Sequence, residues 1–327
     1  MNEPRCADPL TALEAKERAQ WIAFAPFVFH ASRVARDSGI LELLEYHHGP
    51  GLTAEEVAAR LNLPRYGVRV LLDAALAIGL VTEEARRYRT TKTAYFLTHD
   101  ALTRVNMDFT HDVNYAGLTH LSEAIETGTP AGLKVFGEWR TIYEALPDLP
   151  AQVRKSWFGF DHYYSDRAFP SALPLVFKRC PKRLLDVGGN TGRWALACLR
   201  HDAGVRVTIL DLPGPLDEAR GMLALQNLTT RADFVEANLL DETTAIPQGY
   251  DAIWMSQFLD CFSEQEIVSI LSRCRVALEA GGRLYILEPF SDRQRFGAGA
   301  FCLRMMSLYF AVMANGNSRV YGSGDFI

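Results

Sequence analysis

Five short apolar runs in the second half of the chain restrict its fold more than any other feature. Helical patterns separate them, and in chain order they are KRLLDVGG (182–189), RVTILDL (206–212), ADFVEANLL (232–240), DAIWMSQFL (251–259) and GRLYILEPF (282–290). Strands that alternate with helices form βαβ units, in which neighbouring strands run parallel. The sequence therefore predicts an α/β domain over residues 181–327, with a mainly parallel sheet and helices on both faces.

One of the intervening helices is well defined by its sequence. Ser263 and Glu266 have the spacing of a capping box, which marks a helix N-terminus. The buried stripe that follows consists of Ile267, Ile270, Leu271 and Cys274. Gly281 and Gly282 then predict the end of this helix.

The first hundred residues have a different, helical pattern. Thr53 and Glu56 form another capping box. One helical face after it carries Val68, Leu71, Leu72 and Ala75. The polar segment LVTEEARRYRTT (80–91) predicts a short hairpin. Three helices followed by such a hairpin are typical of a winged-helix domain, which we assign to residues 1–105. Residues 106–180 are predicted to form a helical connector that contributes to a substrate pocket.

A winged helix suggests DNA binding, but the charges of this chain argue against that function. The net charge is -5, and the third helix carries only Arg65 and Arg69 near its start. The preceding segment QWIAFAPFVFHASRVA (20–35) is more apolar than one amphipathic helix needs, which favours a subunit interface. We therefore predict a domain that pairs with a second copy of itself and binds no nucleic acid.

The sequence carries no signal for secretion or for a membrane span. Its N-terminal segment is charged and lacks the apolar core of a signal peptide. No apolar run approaches about 18 residues, because Arg304 interrupts the most apolar long segment, FCLRMMSLYFAVMA (301–314). Six scattered cysteines without a CxxC pair or metal-ligand spacing indicate reduced thiols. We expect a cytoplasmic protein that binds no membrane and no metal.

A glycine-rich turn follows the first predicted strand, in LLDVGGNTGRWAL (184–196). Gly188, Gly189 and Gly192 allow a tight turn and a close approach of the backbone to a ligand. They do not have the spacing of a dinucleotide fingerprint. The next strand ends at Asp211, whose carboxylate can accept hydrogen bonds from ribose hydroxyls. The turn and this acid together predict a site for a nucleoside ligand.

These motifs resemble those of the class I S-adenosylmethionine-dependent methyltransferases. The matching segments are DVGGNTG (186–192), DLP (211–213), DAIWM (251–255), SEQE (263–266) and GGRLYILEP (281–289). With the winged-helix domain in front, the chain is similar to the small-molecule O-methyltransferases of the caffeate and hydroxyindole type. The resemblance implies a Rossmann-like domain that binds S-adenosylmethionine, a small-molecule acceptor, and a homodimer whose N-terminal domains intertwine.

The resemblance also assigns cofactor contacts. The three glycines would lie against the methionine part of the cofactor, and Asp211 would bind the ribose. Where relatives have an Asp-Met pair near the adenine, this chain has Asn238 and Leu239, which can still bond the exocyclic amine and pack on the ring. The complete set of predicted cofactor residues is Asp186, Gly188, Gly189, Gly192, Asp211, Leu212, Asn238, Leu239 and Ser256.

The predicted catalytic residues depart from the family pattern. Plant-type relatives have a His-Asp pair at the end of the fourth strand, with the His as general base, whereas this chain has Asp260 and Cys261. Asp260 could be a reactive pocket residue or a solvated loop acid. The second acid of the family aligns with Glu288, which could act in catalysis or in a structural role. A third family acid is replaced by Asn317 or Ser318.

An ordinary aspartate is a poor base for a phenol. Full proton transfer from a phenol of pKa about 10 costs roughly 8 kcal/mol to an aspartate of pKa about 3.9, and roughly 5 kcal/mol to a histidine. Three solutions are open. Burial beside Phe258 and Phe262 could raise the pKa of Asp260, the acceptor could already be ionised, or the enzyme could act mainly by proximity.

The acceptor pocket is predicted to be apolar and to suit a flat molecule. Its candidate residues are His162, Tyr164, Gln257, Phe301 and Met305. His111 and His120 are alternative bases. The favoured reaction is O-methylation of a small aromatic or polyketide-like metabolite. The alternatives are C-methylation of an activated ring and a scaffold or regulator that binds the cofactor without catalysis. Relatives continue with an antiparallel strand pair, so we expect the domain to be truncated or to lack these strands.

Overall fold

The computed structural model describes residues 9–47 and 49–326. It divides into two compact units, residues 1–107 and 108–327. The helices between residues 108 and 180 belong to the second unit. Each unit has its own buried apolar residues, so each is described separately below.

The first unit is helical with one two-stranded hairpin. Its helices are α1 (Ala12–Ala23), α2 (Ala25–Asp37), α3 (Ile40–Tyr46), α4 (Ala54–Leu61), α5 (Arg65–Ile78) and α6 (Lys92–His99), and α7 (Ala101–Phe109) spans the boundary. The antiparallel hairpin consists of β1 (Val81–Glu84) and β2 (Arg87–Thr90). Three helices followed by a hairpin are therefore present as predicted.

Local sequence signals explain the first unit well. The Thr53 Oγ accepts a hydrogen bond from the Glu56 amide, and the Glu56 carboxylate accepts one from the Thr53 amide, so the predicted capping box starts α4. On α5, Val68, Leu72 and Ala75 are buried against α4 and its neighbours. Regular amphipathic packing of this kind supplies most of the stability of short helices.

The second unit contains a five-stranded parallel sheet. Its strands are β3 (Arg183–Val187), β4 (Arg206–Asp211), β5 (Ala232–Glu236), β6 (Tyr250–Ser256) and β7 (Leu278–Leu287), in the order β5-β4-β3-β6-β7. Its further helices are α8 (Leu121–Thr127), α9 (Ile142–Ala145), α10 (Ala151–Asp166), α11 (Phe169–Val176), α12 (Arg193–His201), α13 (Pro213–Leu225), α14 (Glu264–Ala277) and α15 (Gly297–Tyr309). All four strand pairings are parallel, which confirms the predicted α/β fold.

The strand order reverses at β3, which places the ligand-binding edge of the sheet. The chain moves from β3 through β4 to β5 on one side, and then returns to β6 and β7 on the other. Ligands of such sheets bind outside the carboxyl ends of the strands at this switch point. The segments that follow β3, β4 and β6 therefore meet at one place.

The prediction for the end of α14 was wrong by several residues. The helix ends at Ala277, because Leu278 has extended dihedral angles and pairs with Tyr250 at the start of β7. Gly281, with φ of 84°, lies instead in an irregularity of β7 between the pairs to Tyr250 and Ala252. Strand pairing, rather than the two glycines, therefore determines where α14 ends.

The helical segment 297–314 is long and apolar enough to cross a membrane, with a mean hydropathy of 1.4. This finding corrects the expectation that no segment would meet that criterion, since Arg304 alone does not lower the mean enough. One third of the segment is buried inside the second unit. Leu303, Tyr309 and Val312 belong to a core cluster there, so one face of the segment packs inside the second unit.

Candidate active site

A cavity of about 550 Å³ lies at the carboxyl ends of β3, β4 and β6, entirely within the second unit. The loops after these strands form one side of it, and α10, α15 and the segment around α9 form the other. A volume of this size is typical of small-molecule and cofactor sites. The same strand ends carry the glycine turn, Asp211 and Asp260.

Two glycines of the turn that lines the cavity have no room for a side chain. Gly188 has φ of 68°, and a Cβ there would clash with the ring of Phe258. A Cβ on Gly189 would lie 2.7 Å from Ile209 Cγ2 and 2.8 Å from Asp186 Oδ2. Gly192 does not line the cavity; it is the left-handed N-cap of α12. The turn is therefore shaped by contacts with the strands around it.

Two aspartates at neighbouring strand ends face the cavity. Asp211 accepts hydrogen bonds from the amides of Asn190 (2.8 Å) and Leu212 (2.7 Å), which fix its carboxylate. Burial raises its pKa to about 6 despite these bonds. Asp186 is more deeply buried, and its pKa rises to about 8 because of burial and the nearby Asp211.

Several buried polar atoms around the cavity lack partners among the described residues. They include Asp186 Oδ2, Asn190 Oδ1, Ser256 Oγ and Gln257 Nε2. Buried polar groups in native proteins are normally hydrogen-bonded, so these atoms indicate a polar ligand. Acceptors and donors in this combination fit a nucleoside cofactor with amino and hydroxyl groups. The predicted cofactor residues Leu212, Asn238 and Leu239 also line the cavity. The Asn238 side-chain oxygen accepts a bond from the Leu240 amide.

Asp260 is a buried cavity residue rather than a solvated loop acid. It lies in a short 3₁₀ turn, Leu259–Cys261, directly after β6, and only 6 % of it is exposed. The Cys261 thiol, a weak donor, is 3.6 Å from its Oδ1. Burial raises the pKa of Asp260 to about 7. The first of the three predicted solutions therefore holds for this residue.

Glu288 holds the turn that carries Asp260. Its Oε1 accepts hydrogen bonds from the amides of Phe258 (3.0 Å) and Leu259 (2.8 Å). Burial, with a further contribution from Asp260, raises the pKa of Glu288 well above its usual range. The side chain is not among the cavity-lining residues. The geometry gives it a positioning role for the turn.

Helix α10 is joined to the glycine turn by three side-chain contacts. Asp161 accepts a hydrogen bond from Asn190 Nδ2 (2.9 Å), and His162 Nε2 is 3.1 Å from the Thr191 hydroxyl. Asp166 pairs with Arg193 one helical turn further along. Burial lowers the pKa of His162 to about 4, so its imidazole is neutral at physiological pH.

Asp161 is a cavity residue that the sequence analysis missed. Burial raises its pKa to about 7. The one available signal was an acid within the aromatic stretch WFGFDHYY (157–164), where the neighbouring residues His162 and Tyr164 had been assigned to the pocket. The structure confirms that both of these and Gln257 line the cavity.

Phe301 and Met305 were wrongly predicted to form the pocket wall. They are 62 % and 46 % exposed and do not line the cavity. The face of this helical segment that lines the cavity carries Leu303, Met306 and Phe310, spaced three and four residues apart, whereas Phe301 and Met305 lie two residues from Leu303 and point elsewhere.

The remaining candidate residues divide between cavity and surroundings. Asn317 lines the cavity, and the Ser318 hydroxyl donates to Asn315. The alternative bases His111 and His120 are outside the lining; they lie beside Asp112 and Glu123 respectively.

The fold and the cavity together define a class I S-adenosylmethionine-dependent methyltransferase. Two family models match the chain, the Dimerisation2-like domain over residues 16–88 and the O-methyltransferase domain over residues 172–323. The chain belongs to the S-adenosylmethionine-dependent O-methyltransferase family, and its cofactor is S-adenosylmethionine.

Individual relatives agree with this assignment. The chain is 27 % identical to the L-tyrosine C(3)-methyltransferase of Streptomyces lavendulae, over 93 % of its length and 82 % of the relative. It is 27 % identical to the 3-hydroxy-5-methyl-1-naphthoate 3-O-methyltransferase of Streptomyces sahachiroi, over 78 % and 72 %. The apo structure of the S-adenosylmethionine-dependent methyltransferase SibL is similar with a TM-score of 0.70 and 27 % identity, covering 94 % and 90 % of the two chains.

The buried acids make stability depend on pH. Asp161, Asp186 and Asp260 hold protons in the folded cavity at pH 6.5, whereas unfolded aspartates do not, so the free energy of unfolding falls as pH rises through about 7 to 8. We expect urea denaturation without ligand to give a lower free energy of unfolding at pH 8.0 than at pH 6.5. Asp186→Asn should reduce the difference in unfolding free energy between these two pH values by about 1 kcal/mol or more. The exposed Asp217→Asn is the matched control, and a stability that rises over this range contradicts the argument.

Proposed function

We propose that this chain transfers the methyl group of S-adenosylmethionine to a hydroxyl group of a small aromatic or polyketide-like acceptor. The observation that carries this proposal is Asp260, a buried carboxylate in the same cavity as the glycine turn and Asp211. Its environment supports a role as general base for a weakly acidic hydroxyl.

The cofactor supplies a methyl group bonded to a sulfonium, which is a strong electrophile. We assign its methionine part to the side of the cavity formed by Gly188, Gly189 and Asp186, and its ribose to Asp211. The adenine is assigned to Asn238 and Leu239. Asp186, with one unpartnered oxygen, suits the ammonium group of the methionine part.

The raised pKa of Asp260 lowers the free-energy cost of proton transfer from a phenol to this aspartate. Full transfer of a proton from a phenol of pKa about 10 to an acid of pKa about 7 costs about 4 kcal/mol, half of the cost for an ordinary aspartate. This value is close to the cost for a free histidine. Burial therefore gives Asp260 about the basicity of the imidazole that occupies this position in plant-type relatives.

The walls of the acceptor side favour a flat, apolar molecule. Its aromatic and aliphatic lining includes Phe109, Trp157, Phe160, Leu303, Met306 and Phe310. Flat aromatic rings pack well against such side chains. The relatives named above act on an aromatic amino acid and on a naphthoate according to their names, and both substrates carry a phenolic hydroxyl.

C-methylation is a second candidate reaction, supported by the name of the Streptomyces lavendulae relative, which matches 93 % of this chain. An ionised phenol is nucleophilic at its ring carbons as well as at oxygen, so the same base serves either reaction. Product analysis separates the two, because a carbon–methyl bond survives ether cleavage.

We also infer that two copies associate through a winged-helix first unit. Exposed apolar side chains cluster where α1 meets α2. They are Trp21 and Ile22 on α1, Phe24 between the helices, and Phe27 on α2, which is 70 % exposed. Contiguous exposed apolar surface of this kind marks an interaction site.

A cytoplasmic location is proposed as well, since the five described cysteines are all free thiols.

Cofactor binding can be tested by calorimetric titration with S-adenosylhomocysteine. We expect micromolar binding and a loss of about 10- to 100-fold in Asp211→Ala, because a charged hydrogen-bond acceptor is removed. Asp211→Asn tests whether the charge or the hydrogen bonds matter, and thermal melting checks that both variants fold. The exposed Asp217→Ala is the control. Absence of binding to the unaltered protein would contradict the proposal.

The role of Asp260 can be tested with Asp260→Asn. We expect kcat/KM for a phenolic acceptor to fall about 10²- to 10⁴-fold, with the affinity for S-adenosylhomocysteine changed less than threefold. In the unaltered enzyme kcat/KM should rise with pH through about 7, because Asp260 must be ionised to accept a proton. Cys261→Ala is the neighbouring control. A pH profile unchanged by Asp260→Asn would exclude this residue as the base.

The dimer can be tested by light scattering coupled to size-exclusion chromatography. We expect the unaltered chain to elute with the mass of a dimer and Phe27→Glu to shift it toward the monomer, because a charge is costly in an apolar interface. Leu225→Glu, at an exposed position of the second unit, is the control. A monomeric unaltered chain would contradict the inference.

A further inference from the structure

Two buried tyrosine hydroxyls, those of Tyr143 and Tyr309, lie in the same cavity as Asp260. Tyr143 is on the short helix α9, and Tyr309 is the last residue of α15. Both line the cavity together with Asp260. They come from segments more than 100 residues apart, so only the fold brings them to one place.

The Tyr309 hydroxyl is held with its proton free to donate. Trp157 Nε1 donates a hydrogen bond of 2.8 Å to the Tyr309 oxygen. The indole can only donate, so this bond uses a lone pair of the tyrosine oxygen and leaves the O–H hydrogen for another partner. The ring is fixed by an edge contact with Phe109 at 5.1 Å between centroids. Tyr309 is therefore a preorganised donor.

The Tyr143 hydroxyl is buried and has no nitrogen or oxygen hydrogen-bond partner among the described residues. It lies beside the Cys261 sulfur, which is at best a weak partner. Thr141 caps the N-terminus of α9 through the Glu144 amide and so fixes the backbone on which Tyr143 is carried. A buried hydroxyl without a partner is costly unless a ligand satisfies it.

The protonation of these groups defines the ligand that they suit. Burial raises the pKa of both tyrosines well above 10, so both remain O–H donors at neutral pH and cannot serve as bases. Asp260 is the acceptor in the same part of the cavity. Two donors and one base match a hydroxyl group that becomes an oxyanion.

We propose that Tyr143 and Tyr309 form an oxyanion site that binds the phenolate form of the acceptor, with Asp260 as the recipient of its proton. This inference rests on the proposed function and adds two catalytic residues to it. The acceptor O–H bond breaks and its proton moves to the Asp260 carboxylate. The phenolate oxygen accepts the two tyrosine hydrogen bonds and keeps one lone pair. That pair forms the bond to the methyl carbon, while the carbon–sulfur bond breaks and leaves its electrons on a neutral thioether sulfur.

The site can be tested at equilibrium, without turnover, using 4-nitrophenol as the probe. Its phenolate absorbs visible light, so a pH titration of the complex with enzyme and saturating S-adenosylhomocysteine gives the pKa of the bound phenol. We expect the bound pKa to lie below that of free 4-nitrophenol. Tyr143→Phe should lower the acid dissociation constant of the bound phenol about 10- to 100-fold, which raises its pKa. This is the effect of losing one hydrogen bond to a charged oxygen.

Tyr143→Phe is the primary variant because it removes a hydroxyl whose one protein neighbour is the weak partner Cys261, and it should leave folding intact. Tyr309→Phe also leaves Trp157 Nε1 without its acceptor, so its thermal stability is measured in parallel. Tyr163→Phe is the matched control, since that tyrosine lies on α10 outside the cavity lining. It should leave the bound pKa unchanged.

Separate outcomes identify which proposal fails. If the unaltered protein does not bind S-adenosylhomocysteine, the proposed function itself is overturned. If S-adenosylhomocysteine binds but 4-nitrophenol does not, or if the bound pKa is the same in Tyr143→Phe as in the unaltered enzyme, the oxyanion site is overturned and the proposed function stands.

Discussion

The desolvation of carboxylates at one edge of the parallel sheet is the constraint on which the rest of the second unit depends. Strand order reverses at β3, so the ends of β3, β4 and β6 converge and bring Asp186, Asp211 and Asp260 into one cavity. Burial of these acids without cationic partners lowers the stability of the ligand-free fold at neutral pH. On the proposed assignment, a cofactor with a sulfonium and an ammonium group would supply the missing positive charge, so ligand binding and folding would be coupled through the same acids.

On the proposed function, the same desolvation also sets the basicity of Asp260. An aspartate in water is too weak a base for a phenol, whereas Asp260 in its buried turn approaches the basicity of histidine. The turn must be held rigidly for this effect to persist, and Glu288 does so through two backbone amides. A second acid close to the first adds to the cost of ionising either one. Stability is thereby exchanged for reactivity, as is common in active sites.

The fold and the position of the glycine turn and Asp211 at the cavity were predictable from the sequence because their signals are local. The βαβ alternation, the capping boxes and the glycine turn each occupy a few consecutive residues. The acceptor side was not predictable in the same way. The rotation of α15, which half-buries Met306 against the core and exposes Met305, depends on which face packs inward. No local pattern marks Tyr143, and the one local signal for Asp161 is its place in an aromatic stretch, because the helices that carry both residues reach the cavity only through tertiary packing. The end of α14 at Ala277 depends on pairing between β6 and β7, which local helix signals do not contain.

The proposed oxyanion site bears on how one fold serves relatives whose names specify transfer to oxygen and to carbon. A phenolate shares its negative charge between the oxygen and the neighbouring ring carbons. Asp260, Tyr143 and Tyr309 all act on the oxygen, so on this proposal they activate both kinds of nucleophile alike. The choice between them is then set by which atom the apolar wall presents to the methyl group. Met306 and Phe310 belong to that wall, and neither side chain carries a group that exchanges a proton. Substitutions there should therefore alter the methylated atom while leaving the ionisation of the acceptor intact, which separates the origin of selectivity from the origin of rate.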